Sequence, residues 1–157
     1  MDKIKSILFV CTGNSCRSIM AEGLMKKYLK ELGKDYIEVR SAGISALAGF
    51  PPTQETIDVM KQENVDVSSF YSKKATEDLI KNSDVILVME KMHKDFIDKI
   101  APEAASRTYL LREFQASRDK ARLGNHNIPD PIGKPMDYYK LSFQLIKEQI
   151  ERIAKLL

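Results

Sequence analysis

Hydrophobic positions along this chain alternate between two periods: short apolar runs give way to segments in which apolar residues return every three or four positions. Ile4 to Val10 reads as a first strand, and Met20, Leu24, Tyr28 and Leu32 mark one face of a helix beginning near Arg17 or Ser18. Tyr36 to Arg40 reads as a second strand, Thr53 to Asn64 as a helix with Ile57 and Met60 inward, and Ala75 to Lys81 as a shorter helix. DVILVM, Asp84 to Met89, is the strongest strand after the first. A helical stretch from Lys91 to Ile100 and a weaker strand from Arg107 to Leu111 follow it. The end is clearest, since Tyr139, Phe143, Ile146, Ile150, Ile153 and Leu157 form one apolar stripe on a long helix.

Strands alternating with helices imply right-handed crossovers and a parallel sheet covered on both faces, in one α/β domain over residues 1–157. Ligands of such sheets sit outside the carboxyl ends of the strands, near a switch in strand order. Cys11 stands at that end of the first strand. Two stretches read as loops by their turn residues, Gly43 to Thr53 (GISALAGFPPT) and Leu123 to Pro135 (LGNHNIPDPIGKP).

Charge changes this picture little. The 25 basic and 22 acidic residues leave a net +3 with no block of one sign. That spread fits a mixed solvated surface and no nucleic-acid or membrane partner, while the small positive excess suits an anionic substrate. The apolar run at Ile7 to Val10 is too short for a signal sequence or for a span of about 20 residues. The expected location is the cytoplasm, where thiols stay reduced and two cysteines do not make a disulfide scaffold.

The candidate chemistry lies where the first strand meets the first helix. Five residues separate Cys11 from Arg17, giving C-x5-R across a strand-to-helix turn. Backbone N–H groups of such a turn, with the helix N-terminus, make a site for phosphate. Gly13 permits a backbone shape that a side chain would obstruct. Arg17 adds a planar fork able to hold two oxygens of a tetrahedral anion. Helix dipole, amides and guanidinium all favour a thiolate at Cys11, held beneath a phosphorus atom for in-line attack. The alternative, a structural cysteine beside an exposed arginine, does not account for strand, glycine and helix in this order. The nucleotide P-loop ending GK[ST] and the fingerprint G-x-G-x-x-G are both absent. His93 and His126, far apart in sequence, read as surface or loop residues, and Cys11 and Cys16 lack C-x2-C spacing, so no metal is expected.

With VCTGNSCRS at residues 10–18 and IPDP at 128–131, the sequence resembles the low-molecular-weight protein tyrosine phosphatases along essentially its whole length, SAG at 41–43 included. The resemblance implies a three-layer α/β/α fold with a four-stranded parallel sheet in flavodoxin-like order and a phosphate-binding loop after strand one. It also implies a cofactor-free cytoplasmic monomer that acts on phosphorylated proteins. By the same resemblance Cys11 is the nucleophile, Arg17 the phosphate-binding arginine and Asp130 the general acid. Thr12, Gly13, Asn14, Ser15 and Cys16 complete the loop, with Asn14 holding its shape. Ser18 is the hydroxyl that stabilises the thiolate, and Ser41 supports the loop from below. A reversible Cys11–Cys16 disulfide is implied too, against the plainer role of Cys16 as a small packing residue.

Three positions depart from the family pattern. Ile19 stands where proline is common at the helix start. Ser15 replaces the isoleucine of tyrosine-directed members and keeps the hydroxyl, without the methyl, of the threonine in protein-arginine phosphatases. Ile132-Gly133 follows Asp130-Pro131 where aromatic residues are frequent, so ring contact passes to Ile132, Phe50 or Tyr138, while Tyr139 belongs to the helical stripe. Phosphotyrosine is therefore the first substrate expectation and phosphoarginine the alternative. Arg17 and Asp130 together argue against a phosphocysteine carrier, which has no need of an acid and base that discharge its intermediate, and Cys11 with Asp130 argues against a phosphopeptide-binding module.

Overall fold

The computed structural model describes residues 3–116 and 124–157; Leu123, the first residue of the second expected loop, lies outside them. The elements run β1 (Ser6–Cys11), α1 (Arg17–Glu31), β2 (Glu38–Gly43), α2 (Gln54–Lys61), α3 (Glu77–Lys81), β3 (Val85–Val88), α4 (Lys91–Ile100), β4 (Thr108–Leu110) and α5 (Met136–Leu156). A 3-10 turn, Pro102–Arg107, leads into β4. The strands form one parallel sheet in the order β2-β1-β3-β4. This is the flavodoxin-like arrangement, in which the chain leaves β1 first toward one edge and then crosses to the other. The reversal falls at β1, so the carboxyl end of β1 is the crevice where such sheets bind ligands.

Successive side chains of β1 point to opposite faces and divide the core into two layers. Ile7, Phe9 and Cys11 join Met20 and Leu24 of α1 and Ile146 and Ile150 of α5 in one buried cluster. Leu8 and Val10 join Ile86 and Val88 of β3, Ile80 of α3 and Ile97 of α4 in the other. Covered on both faces, the inner strands read as unbroken apolar runs rather than alternating ones. Helix starts follow local chemistry as well: the Thr53 hydroxyl accepts the Thr56 N–H of α2, and that of Thr76 accepts the Leu79 N–H of α3. Among the described residues no helix is long and apolar enough to cross a membrane.

The expected elements are present, with shifted ends. β2 is displaced from Tyr36–Arg40 to Glu38–Gly43, because pairing with β1 carries the strand through SAG: Ser41 lies opposite Phe9 and Gly43 opposite Cys11. Tyr36 falls outside the strand and is exposed. Leu32 caps α1 in solvent rather than extending its apolar face, and the buried face of α2 is Thr56, Val59 and Met60, with Ile57 only half-buried. Ile19 is buried in the core, so α1 starts at Arg17 without a proline.

Candidate active site

The turn between β1 and α1 is fixed from below by the end of β2. A Cβ placed on Gly43 would lie 2.5 Å from the Thr12 carbonyl oxygen and 2.8 Å from the Asn14 nitrogen, so the loop backbone rests directly on this residue. The next segment then holds the loop from the side. The N–H groups of Ile44, Ser45 and Thr53 donate to the carbonyls of Cys11, Thr12 and Ser15. The stretch from Gly43 to Thr53 is thus a backbone cradle for the loop as well as a connection.

Inside the loop Asn14 takes a left-handed backbone, φ 52°, and its buried amide joins the loop to three other parts of the chain. Nδ2 donates to Ser18 Oγ at 2.7 Å and to Ser41 Oγ at 3.0 Å, while Oδ1 accepts the Lys73 N–H at 2.9 Å. The Ser41 hydroxyl in turn donates to Glu22 Oε1 at 2.5 Å, and Lys26 donates to Glu22 Oε2 at 2.6 Å. Cys11 Sγ lies 2.9 Å from Ser18 Oγ and accepts the Asn14 N–H at 3.3 Å. Both cysteines are free and buried; Cys16 Sγ is 3.6 Å from Thr53 Oγ1 and 3.9 Å from the Tyr139 hydroxyl. Tyr139 is a core residue, as the helical stripe predicts.

Arg17, only 1% exposed, has its guanidinium oriented by groups far along the chain. Nη1 donates to Glu90 Oε2 and to the Ile128 carbonyl, both at 2.7 Å. Nη2 lies 3.5 Å from Thr12 Oγ1 and 3.4 Å from Asp130 Oδ2. The Asp130 segment is tied down just before that residue: the Ile128 N–H donates to the Met89 carbonyl and the Ser142 hydroxyl to the Pro129 carbonyl. Asp130 Oδ1 accepts the Ile132 N–H at 3.1 Å. Loop residues 11–13 and 15–17, with Asp130 and Ile132, line a cavity of about 100 Å³. That is well below the roughly 300–1,000 Å³ that encloses a drug-sized ligand, and suits a phosphoryl group whose substituent stays on the rim. Ile132, the apolar side chain opposite the loop in that lining, is exposed, as are Phe50 and Tyr138.

The structure therefore brings together Cys11, Thr12, Gly13, Asn14, Ser15, Cys16, Arg17, Ser18, Ser41 and Asp130, as the sequence leads one to expect. It corrects one assignment. His93 is wholly buried rather than a surface or loop residue, with Nε2 2.9 Å from Thr12 Oγ1 and Nδ1 accepting the Glu90 N–H at 3.0 Å. Burial, and then the Arg17 charge, push its pKa down to about 3, so it is neutral. Glu22, Glu90 and His93 are site residues that sequence reasoning missed. The available signal for the last two is a carboxylate closing an apolar strand beside β1, with a histidine three residues on at a helix start.

A family model described as low molecular weight phosphotyrosine protein phosphatase matches residues 6–157. The chain belongs to this family. Among its phosphatase relatives is the low molecular weight protein-tyrosine-phosphatase Etp of Escherichia coli K12, 32% identical over 153 residues, covering 98% of this chain and 95% of that one. The protein-arginine-phosphatase of Bacillus subtilis is 31% identical over 150 residues, covering 95% and 94%. A phosphatase-family structure, Vibrio vulnificus Wzb in complex with benzylphosphonate, superposes with a TM-score of 0.86 at 34% identity, covering 99% of this chain and all of its own.

Proposed function

We propose that this phosphatase hydrolyses phosphotyrosine in proteins through a cysteinyl-phosphate intermediate. The observation that carries the reading is the convergence of the Cys11 sulfur, the Arg17 guanidinium and the Asp130 carboxylate on a cavity the size of one phosphoryl group. Arg17 and the amides at the start of α1 hold the nonbridging oxygens. The Cys11 thiolate attacks phosphorus, the phosphorus–oxygen ester bond breaks, and the Asp130 carboxyl gives its proton to the leaving oxygen. The same carboxylate then takes a proton from water as that water attacks phosphorus and the phosphorus–sulfur bond breaks. Ser18 receives a hydrogen bond from Asn14, and its own hydrogen faces the sulfur, which steadies the departing thiolate. Asp130 lies 3.4 Å from Arg17 Nη2, and a phosphate bound on the guanidinium takes over that place. This thiol chemistry suits the reducing cytoplasm. Iodoacetate alkylates Cys11 and abolishes turnover, and inorganic phosphate protects; inactivation that phosphate does not slow contradicts the assignment.

Phosphoarginine is a second reading, supported by two positions, Ser15 and the Ile132-Gly133 pair that stands where aromatic residues are frequent. Ser15 lines the cavity and puts a hydroxyl where an apolar branched side chain would form a wall for a flat ring. Specificity constants on phosphotyrosine and phosphoarginine peptides decide between them. Phosphotyrosine is the better substrate of the wild type and its advantage widens in Ser15→Ile; a wild-type preference for phosphoarginine reverses the order.

A further inference from the structure

The neutral, buried imidazole of His93 has a fixed tautomer. Its Nδ1 accepts the Glu90 N–H at 3.0 Å and so carries no hydrogen, which places the ring hydrogen on Nε2, 2.9 Å from Thr12 Oγ1. Thr12 Oγ1 is therefore the acceptor of that bond, and its remaining lone pair faces Arg17 Nη2 at 3.5 Å. A hydroxyl whose oxygen is approached by donors on both sides has one use for its hydrogen, to donate outward. Thr12 is half-buried and lines the phosphate-sized cavity with Cys11, Arg17 and Asp130. No acceptor is needed within the loop, because a phosphoryl oxygen in that cavity supplies one.

The geometry points to Thr12 as a substrate-touching donor to a nonbridging phosphoryl oxygen, and to His93 as the positioning residue that polarises it. The inference rests on the phosphatase reading of the site and adds to it a side-chain donor on the flank of the loop away from Ser18. Glu90 completes the unit. Its backbone N–H sets the histidine tautomer while its carboxylate orients Arg17, so one residue at the end of β3 governs both donors. A donor fixed before substrate arrives strengthens as charge builds on the equatorial oxygens in the transition state, and costs no reorganisation at that moment.

The experiment measures kcat and KM for p-nitrophenyl phosphate and the inhibition constant of vanadate, with melting temperatures as a folding control. Thr12→Val keeps the shape of the side chain and removes the hydroxyl; kcat and vanadate affinity both fall about tenfold, the worth of a hydrogen bond to a charged oxygen. His93→Asn keeps an acceptor for the Glu90 N–H but loses the donor to Thr12, and falls as far. His93→Gln carries an amide N–H toward the Nε2 position and recovers part of that loss. The double variant Thr12→Val/His93→Asn falls no further than either single one, as two residues in one chain of bonds require. Should the histidine variants not fold, Thr12→Val decides alone. An active wild type with Thr12→Val inside twofold of it overturns the inference and leaves the phosphatase reading standing, and so does an additive double variant. A wild type inert toward p-nitrophenyl phosphate overturns both.

Discussion

The two walls of the active site are built on opposite plans. On one side the loop of residues 11–17 is locked by Asn14, which joins α1, β2 and the segment at Lys73, and by Gly43 beneath it. On the other side the segment at 128–133 is pinned at Ile128 and Pro129 and buries Pro131, but it presents Asp130 and Ile132 to solvent, with the Asp130 side chain 37% and Ile132 51% exposed. Buried, mutually satisfied bonds suit a catalyst that must not reorganise. An exposed wall suits one that must admit a bulky protein substrate and exchange an ion pair for a phosphate. Substitutions of Asn14 and Gly43, which lock the loop, cost fold and rate together, whereas those on the exposed wall cost rate or affinity alone.

The largest effect expected on the exposed wall is that of Asp130→Ala. Turnover of phenyl phosphate, a poor leaving group, drops by about 10² to 10⁴, that of p-nitrophenyl phosphate far less, and the denaturation midpoint stays put. Equal losses on both substrates remove Asp130 from the acid role. On the locked wall Gly43→Ala drives a methyl into the Thr12 carbonyl and the Asn14 amide. Displacing the loop by a fraction of an ångström lowers kcat by roughly a hundredfold, and the same overpacking lowers unfolding free energy by about 1–3 kcal/mol. A variant that loses only activity erases the contrast between the walls.

A smaller effect concerns pH. Folding holds His93 far below its usual 6.5, at about 3, so the unfolded chain takes up its proton first as pH falls. The stability from neutral His93 is complete above about pH 6.5 and is lost progressively toward pH 3. Urea denaturation at pH 7.5 and pH 5 shows this loss in the wild type and a shallower one in His93→Gln. The smallest change is that of Ile132→Ala, which raises KM for a phosphotyrosine peptide by about threefold through lost apolar contact and leaves kcat and stability as they were.

Legibility in the sequence follows the range of the interaction. β3, α4 and α5 declare themselves because apolar period is a local property, and α4 spans the expected Lys91–Ile100. β2 was harder, since Ser41, Ala42 and Gly43 owe their strand conformation to pairing with β1 rather than to apolar or β-branched side chains. The phosphate loop was legible for the same reason as α4, because C-x5-R is contained in one turn, whereas Asp130 entered only through the family resemblance. Glu90 and His93 were not legible, because they reach Arg17 and Thr12 across 73 and 81 residues of sequence. His93 on an otherwise polar helix start carries no sign of the buried place that tertiary packing gives it. Ser72 is similar, a serine in a plain loop whose hydroxyl donates to the Leu47 carbonyl and accepts the Phe50 N–H, and so ties down the segment that cradles the loop.

The reach of Arg17 has a consequence in time. Its guanidinium is aligned by Glu90 and by the Ile128 carbonyl, which lie 73 and 111 residues further along the chain. During synthesis Cys11 and Arg17 emerge early, and the parallel sheet cannot close until its crossovers have followed. At a growth rate of about 5–20 residues per second the loop waits roughly 6 to 22 seconds for Ile128. Over that interval the nascent chain carries Cys11 without the groups that aim Arg17, so the site is assembled only once Ile128 has been made.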